Sequence, residues 1–127
     1  MSIQRINPSK LQTPLASYSQ VVKKGPIITT AGLIPTNTDG SIVGEGDIKK
    51  QTTQTLENLV NALAAVGATL DDVVKTTIYL SNLENFKEMN EIYNKYFEKS
   101  PPARTTIGAQ LVLPSLLFEI DAIAIID

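Results

Sequence analysis

Two prolines deliver a guanidinium to the start of a strongly apolar stretch, in Ser100-Pro101-Pro102-Ala103-Arg104-Thr105-Thr106. Each proline fixes its own φ and pushes the residue before it towards extended geometry, so a strand is predicted from about Ala103 and the direction of Arg104 is set. Guanidinium is planar, always charged and matched to carboxylate, so the guest it suits is a small organic acid. Arg104 and Thr106 share parity and project to one side of their strand. Glu119 is expected to project from the neighbouring strand, where its carboxylate can meet the guanidinium. By residue type alone that couple is either a structural ion pair or the anchor and acid of a site. Tyr18 by itself reads as a core or interface aromatic. Gly32 marks either a strand end or a place where a ligand approaches backbone, and Asn90 either caps a loop or touches a ligand.

The rest of the composition narrows the chemistry. The chain has 127 residues, with no cysteine and no histidine. Thiolate nucleophiles, disulfides, the commonest general base and the commonest transition-metal ligands are therefore missing, which leaves carboxylates, Tyr, Lys, backbone and water. No metal site is expected. The formal charge is −2, with lysines scattered and no basic stripe interleaved with aromatics, which argues against nucleic acid as the main ligand. No Walker-type loop, G-x-S-x-G elbow or dinucleotide fingerprint is present. Residues 1–10 are polar and contain a proline, unlike a secretory apolar core, and no apolar run reaches the roughly 18 residues of a membrane span. The expectation is one soluble, cytoplasmic domain over residues 1–127.

The elements that must position these residues follow from periodicity. Early strands are predicted at 4–6, 19–24 and 27–31, the last two joined through Gly25-Pro26. Asp47 is placed to cap a helix from about Ile48, with Leu56, Leu59, Val60, Leu63 and Val66 on its apolar face and Gly67 to end it. Residues 74–80 alternate with period two and are rich in β-branched side chains, so they read as a strand. Ser81 or Asn82 caps a second helix whose Phe86, Met89, Tyr93 and Phe97 form one stripe. Two strands remain, from Arg104 to about Leu111 and from Leu116 to Ile126, giving the order β-β-β-α-β-α-β-β.

The last strand carries a further expectation. Its even face, Leu116, Phe118, Ile120, Ala122, Ala124 and Ile126, is wholly apolar and suits packing against the two helices. Its odd face, Leu117, Glu119, Asp121, Ile123 and Ile125, is too apolar for water yet has no third layer of this chain to cover it. Another subunit is expected there, with Glu119 and Asp121 at or near the interface.

With these residues assembled, the chain resembles the RidA/YjgF family, the reactive intermediate deaminases, over nearly its whole length. The resemblance rests on Gly32 with Ile34-Pro35, on 54–59 (Gln-Thr-Leu-Glu-Asn-Leu), on 73–77 (Val-Val-Lys-Thr-Thr), on 89–93 (Met-Asn-Glu-Ile-Tyr), on Pro102-Ala103-Arg104 and on 118–124 (Phe-Glu-Ile-Asp-Ala-Ile-Ala), in order and at the family's spacing. It implies a chorismate-mutase-like α/β fold, a six-stranded mixed sheet with two helices on one face, assembled as a homotrimer with clefts between subunits. It also implies cofactor-free hydrolysis of 2-imino and enamine acids, such as 2-aminoacrylate/2-iminopropanoate and 2-iminobutanoate, to 2-oxo acids and ammonia.

Carried over by position, the resemblance makes Arg104, helped by the Thr106 backbone N–H, the binder of the substrate carboxylate. Glu119 would position water or relay protons, Tyr18 would wall the cleft, and the Gly32 carbonyl would accept from the imine nitrogen. Ala31 stands where many members have Ser, Leu33 where Gln is common and Thr106 where some have Cys. Pro114 lies one place later than the family's usual loop proline. Two rivals accompany this reading: a non-catalytic module whose cleft senses a 2-oxo acid, and a translation-inhibiting ribonuclease or chaperone-like role, which the acidic balance suits poorly.

Overall fold

The computed structural model describes residues 2–127. Its order is β1 (Ile3–Ile6), β2 (Val21–Lys24), β3 (Ile27–Thr30), α1 (Ile48–Ala64), β4 (Val73–Leu80), α2 (Phe86–Phe97), β5 (Ala103–Gly108) and β6 (Phe118–Ile125). The expected β-β-β-α-β-α-β-β succession is present. The six strands form one sheet in the order β1-β2-β3-β6-β4-β5. Every pair is antiparallel except β4 and β5, which the crossover through α2 makes parallel.

Helix α1 starts where Asp47 accepts a hydrogen bond from the Lys50 amide at 3.1 Å, and it stops ahead of Gly67, whose φ is +79°. Leu56, Leu59 and Leu63 are fully buried as their spacing requires, but Val60 is not. Gln51, Thr52, Thr55 and Asn58 share the buried face. Thr52 and Thr55 satisfy their hydroxyls on carbonyls one turn back, those of Ile48 and Gln51. Gln51 donates to the carbonyls of Gly44 and Ser115 and accepts from the Leu117 amide, so one side chain ties α1 to the loops before it and before β6.

Asn82 caps a short 3-10 turn, Leu83–Asn85, that leads into α2. Met89, Tyr93 and Phe97 are buried, whereas Phe86, expected in the same stripe, is 43% exposed and Ile92 takes a core place. Strand β5 also ends earlier than expected, at Gly108, and β6 begins later, at Phe118, because Leu117 spends its amide on Gln51.

Both helices lie on one face of the sheet. There Phe118, Ile120, Ala122 and Ala124 of β6 meet Ile78 and Leu80 of β4 and the leucines of α1 in a single core. Among the described residues no element covers the other face: Ile27, Ile107, Ile123 and Ile125 stand on it between 41% and 53% exposed. Glu119, Asp121 and Tyr79 share that face and are partly buried.

Candidate functional site

Strand β5 is an edge strand, and its register pairs Arg104 with Thr76 and Thr106 with Ile78. Thr76 and Ile78 are buried beneath the helices, so Arg104 and Thr106 rise on the helix side, next to α2. The Arg104 guanidinium lies 4.8 Å from the Tyr93 ring centre and 5.8 Å from that of Phe86, and its Nη1 donates to Asn90 Oδ1 at 2.8 Å. Residues 86, 90 and 93 recur at helical spacing, so one stripe of α2 forms the whole bed on which this cation lies.

Tyr93 is itself fixed, by a 2.8 Å hydrogen bond with Thr76 Oγ1 and by stacking on Phe97 at 4.6 Å. Burial pushes its phenol above the usual range. Among the described residues Lys49–Glu91, at 2.9 Å, is the only ion pair, so Arg104 is held by aromatic faces and an amide and keeps its charge uncompensated. Two residues along, the Thr106 hydroxyl is buried without a hydrogen-bond partner.

A second group of residues gathers around Glu119. Leu33 and Ile120 exchange backbone hydrogen bonds of 2.7 and 3.1 Å, which docks the segment after β3 onto β6 and lays Gly32 against the Glu119 side chain. A Cβ at Gly32 would lie 3.0 Å from the carboxyl carbon of Glu119 and closer still to Oε2. Any larger residue here would push the Glu119 side chain aside, so glycine leaves the acid the place it occupies. Burial first, and the neighbouring Asp121 second, raise the Glu119 carboxyl above its ordinary value. Tyr79, directly across from Glu119 on β4, donates its hydroxyl to Asp121 Oδ2 at 2.8 Å. Tyr18 and Gly32 line one narrow recess with Leu11, Gln20, Leu33 and Asn58.

The two groups do not meet within one chain. Strand β4 lies between β5 and β6, so Glu119 is not on a strand adjacent to Arg104. The register sets Arg104 level with Thr76 and Ala122, and Glu119 level with Tyr79 and Ile107. Three residues along and two strands across correspond to roughly 14 Å between Cα atoms. The side chains also leave opposite faces of the sheet. The expected encounter of guanidinium and carboxylate is thus corrected for a single chain, while Arg104 with Thr106, and Glu119 with Gly32, form two separate halves. Tyr18 joins the second half through Gly32.

Asn90 turns out to hold Arg104 in place, and Tyr93, expected only as core, is also its platform. The i, i+3 spacing of Asn90 and Tyr93 was the available signal. The group of Tyr79 and Asp121 had none beyond the parity of their strands.

A family model described as Endoribonuclease L-PSP matches residues 9–126. The chain is 40% identical over 124 residues to a RutC family protein of Pyrococcus abyssi, covering 98% of each. It is 34% identical over 118 residues to the mitochondrial protein MMF1 of Saccharomyces cerevisiae, covering 92% of this chain and 81% of that one. Among solved structures, yeast Mmf1 superposes with a TM-score of 0.93 at 29% identity, over 99% of this chain and 100% of that chain. Escherichia coli TdcF, crystallised with bound serine, superposes with a TM-score of 0.89 at 26% identity, over 98% and 99%.

Proposed function

Because the chain belongs to the RidA/YjgF family, we propose that it hydrolyses small 2-imino and enamine acids to 2-oxo acids and ammonia, in a cleft completed by a second copy. One half-site is cationic and sits on the β5 edge; the other is acidic and sits on the uncovered sheet face. Joining two different patches makes a heterologous interface, which closes into a ring and not a two-fold dimer. A homotrimer is the ring the family resemblance implies. It would cover the isoleucines of the open face while setting Arg104 of the partner subunit opposite Glu119.

In that cleft the guanidinium, held flat by Tyr93 and Asn90, binds the substrate carboxylate and fixes the position of C2. The iminium carbon is already electrophilic. Glu119 takes a proton from water as its oxygen bonds to C2, then returns that proton to the nitrogen. The carbon–nitrogen bond breaks as the new hydroxyl passes its proton back to the Glu119 carboxylate, leaving a 2-oxo acid and ammonia, and that proton then leaves to solvent. No histidine, thiol or cofactor is needed for those steps. The serine bound to TdcF supports an occupant of amino-acid size.

The observation that carries this reading is the Glu119 carboxyl, half-buried over Gly32 with its proton affinity raised and, among the described residues, no cation in an ion pair with it. A sensor of 2-oxo acids needs the anchor but not such an acid. The test couples a dehydratase acting on serine or threonine to this protein and follows 2-oxo acid release with wild type, Arg104→Ala and Glu119→Ala. Acceleration by wild type alone is expected. No acceleration together with retained binding of 2-oxobutanoate would hand the cleft to the sensor, and RNA cleavage in place of deamination would support the activity named by the family model.

A further inference from the structure

Glu119 is not the only acid on its face. Asp121 lies two residues on along β6, on the same side of the sheet, and its carboxylate accepts a hydrogen bond from a tyrosine of β4. Tyr79 stands level with Glu119, yet its hydroxyl crosses to Asp121 Oδ2 at 2.8 Å. The result is a divided pair: one carboxylate has a fixed donor, and the other has a glycine beside it and, among the described residues, no donor. We propose that Asp121, pinned by Tyr79, is a positioning residue that sets the charge state of Glu119 and so the pH range in which the site works. This rests on Glu119 being the acid of the proposed reaction.

The surroundings leave Asp121 as the charge that matters within the chain. On β6 it is the only other charged side chain of that face, since Ile123 and Ile125 complete it. Strand β4 contributes Tyr79, Thr77 and Lys75, and Lys75 stands two rows beyond Tyr79 with its ammonium on the Thr105 hydroxyl at 2.7 Å. Strand β5 presents Thr105 and Ile107 to this face, and β3 presents Ile27 and Thr29. The docked segment brings Gly32, with Tyr18 at the recess beyond. In the proposed ring, Arg104 of the partner subunit adds one positive charge, the same in wild type and variant.

A like charge on the same face disfavours ionisation of its neighbour, and the direction matches that given by burial. Glu119 therefore keeps a proton to a higher pH than an isolated surface acid, which suits a group that must return a proton to a leaving nitrogen. Neutralising Asp121 moves every limb governed by Glu119 to lower pH, whether Glu119 is needed ionised or protonated.

The decisive measurement is a carbon-13 NMR titration of the Glu119 carboxyl, assigned by its loss in Glu119→Gln, in wild type and in Asp121→Asn. A fall of about half a pH unit or more in Asp121→Asn is expected from a like charge at this spacing. Tyr79→Phe, which releases Asp121 from its donor, is expected to move Glu119 in the same direction by less, and it serves if Asp121→Asn does not fold. The pH profile of kcat/KM should shift with the titration. A Glu119 titration unchanged in both variants overturns the proposal. Because the titration needs no turnover, it reads the coupling even where deamination fails, so the two failures are distinguishable.

Discussion

Gly32 and Glu119 occupy one space: the volume that a side chain at 32 would fill is taken by the carboxyl of 119. The φ of Gly32 is not in the left-handed region, so alanine meets no backbone strain there. Gly32→Ala therefore acts through the acid, displacing the Glu119 side chain at a cost of about 0.5–1.5 kcal/mol. Urea unfolding should show that loss, and deamination should fall towards the level of Glu119→Ala. In the double variant Gly32→Ala/Glu119→Ala the clash is gone and most of the stability should return. A double variant no more stable than Gly32→Ala would show that the carboxyl is not what fills the space.

Arg104 is aimed by Asn90 and supported by the ring of Tyr93, and these two contributions separate by mutation. Without Asn90 the guanidinium must be ordered by the ligand, at about 0.5–1.5 kcal/mol for one side chain, so Asn90→Ala should weaken 2-oxobutanoate binding by about two- to tenfold. Tyr93→Phe keeps the ring under the guanidinium and loses only the bond to Thr76. It should lower stability by about 1 kcal/mol and leave binding nearly unchanged. Isothermal calorimetry on both variants checks this, and equal losses of affinity would deny Asn90 its aiming role.

Much of this arrangement is legible in the chain, and the part that is not has a definite cause. Asp47, the leucine stripe and Gly67 dictate α1, and the even residues of β6 dictate which face meets the helices. Parity places Arg104 with Thr106, and Glu119 with Asp121, within their own strands. It cannot relate the face of one strand to that of another, because that depends on register and strand order. The strand–helix–strand run from β4 through α2 to β5 did hold the missing clue, since such a unit returns a parallel neighbour and seats β5 beside β4, not β6. The buried Gln51 and Asn58 escape pattern reading for another reason. Their partners are loop carbonyls, at Gly44 and Ser115 and at Ile34 and Thr36, most of them far along the chain.

Tyr96 links the helices through a 2.7 Å hydrogen bond to Glu57, and its phenol is pushed up to about 12, chiefly by burial and then by that carboxylate. In the unfolded chain a tyrosine ionises near 10. A folded-state value above the unfolded one gives stability that is whole below pH 10 and is lost as pH rises towards 12. Denaturation midpoints should therefore fall across that window, and Tyr96→Phe should make the fall shallower by up to one proton's share. An identical slope in wild type and variant would remove Tyr96 from the alkaline transition.

The separation of Arg104 from Glu119 within one chain makes subunit mixing the sharpest test of the proposed cleft. Arg104→Ala and Glu119→Ala are each expected to be inactive as pure proteins, since every cleft lacks one group. Unfolded together in equal amounts and reassembled, they form clefts at random. A cleft is whole when its guanidinium comes from the Glu119→Ala chain and its acid from the Arg104→Ala chain, which is about one cleft in four for a heterologous ring. Roughly a quarter of wild-type activity should then return, and light scattering should show the mixed assembly at the size of the wild type. If the two groups served the same cleft from one chain, no mixture of these variants would contain a complete site and no activity would appear.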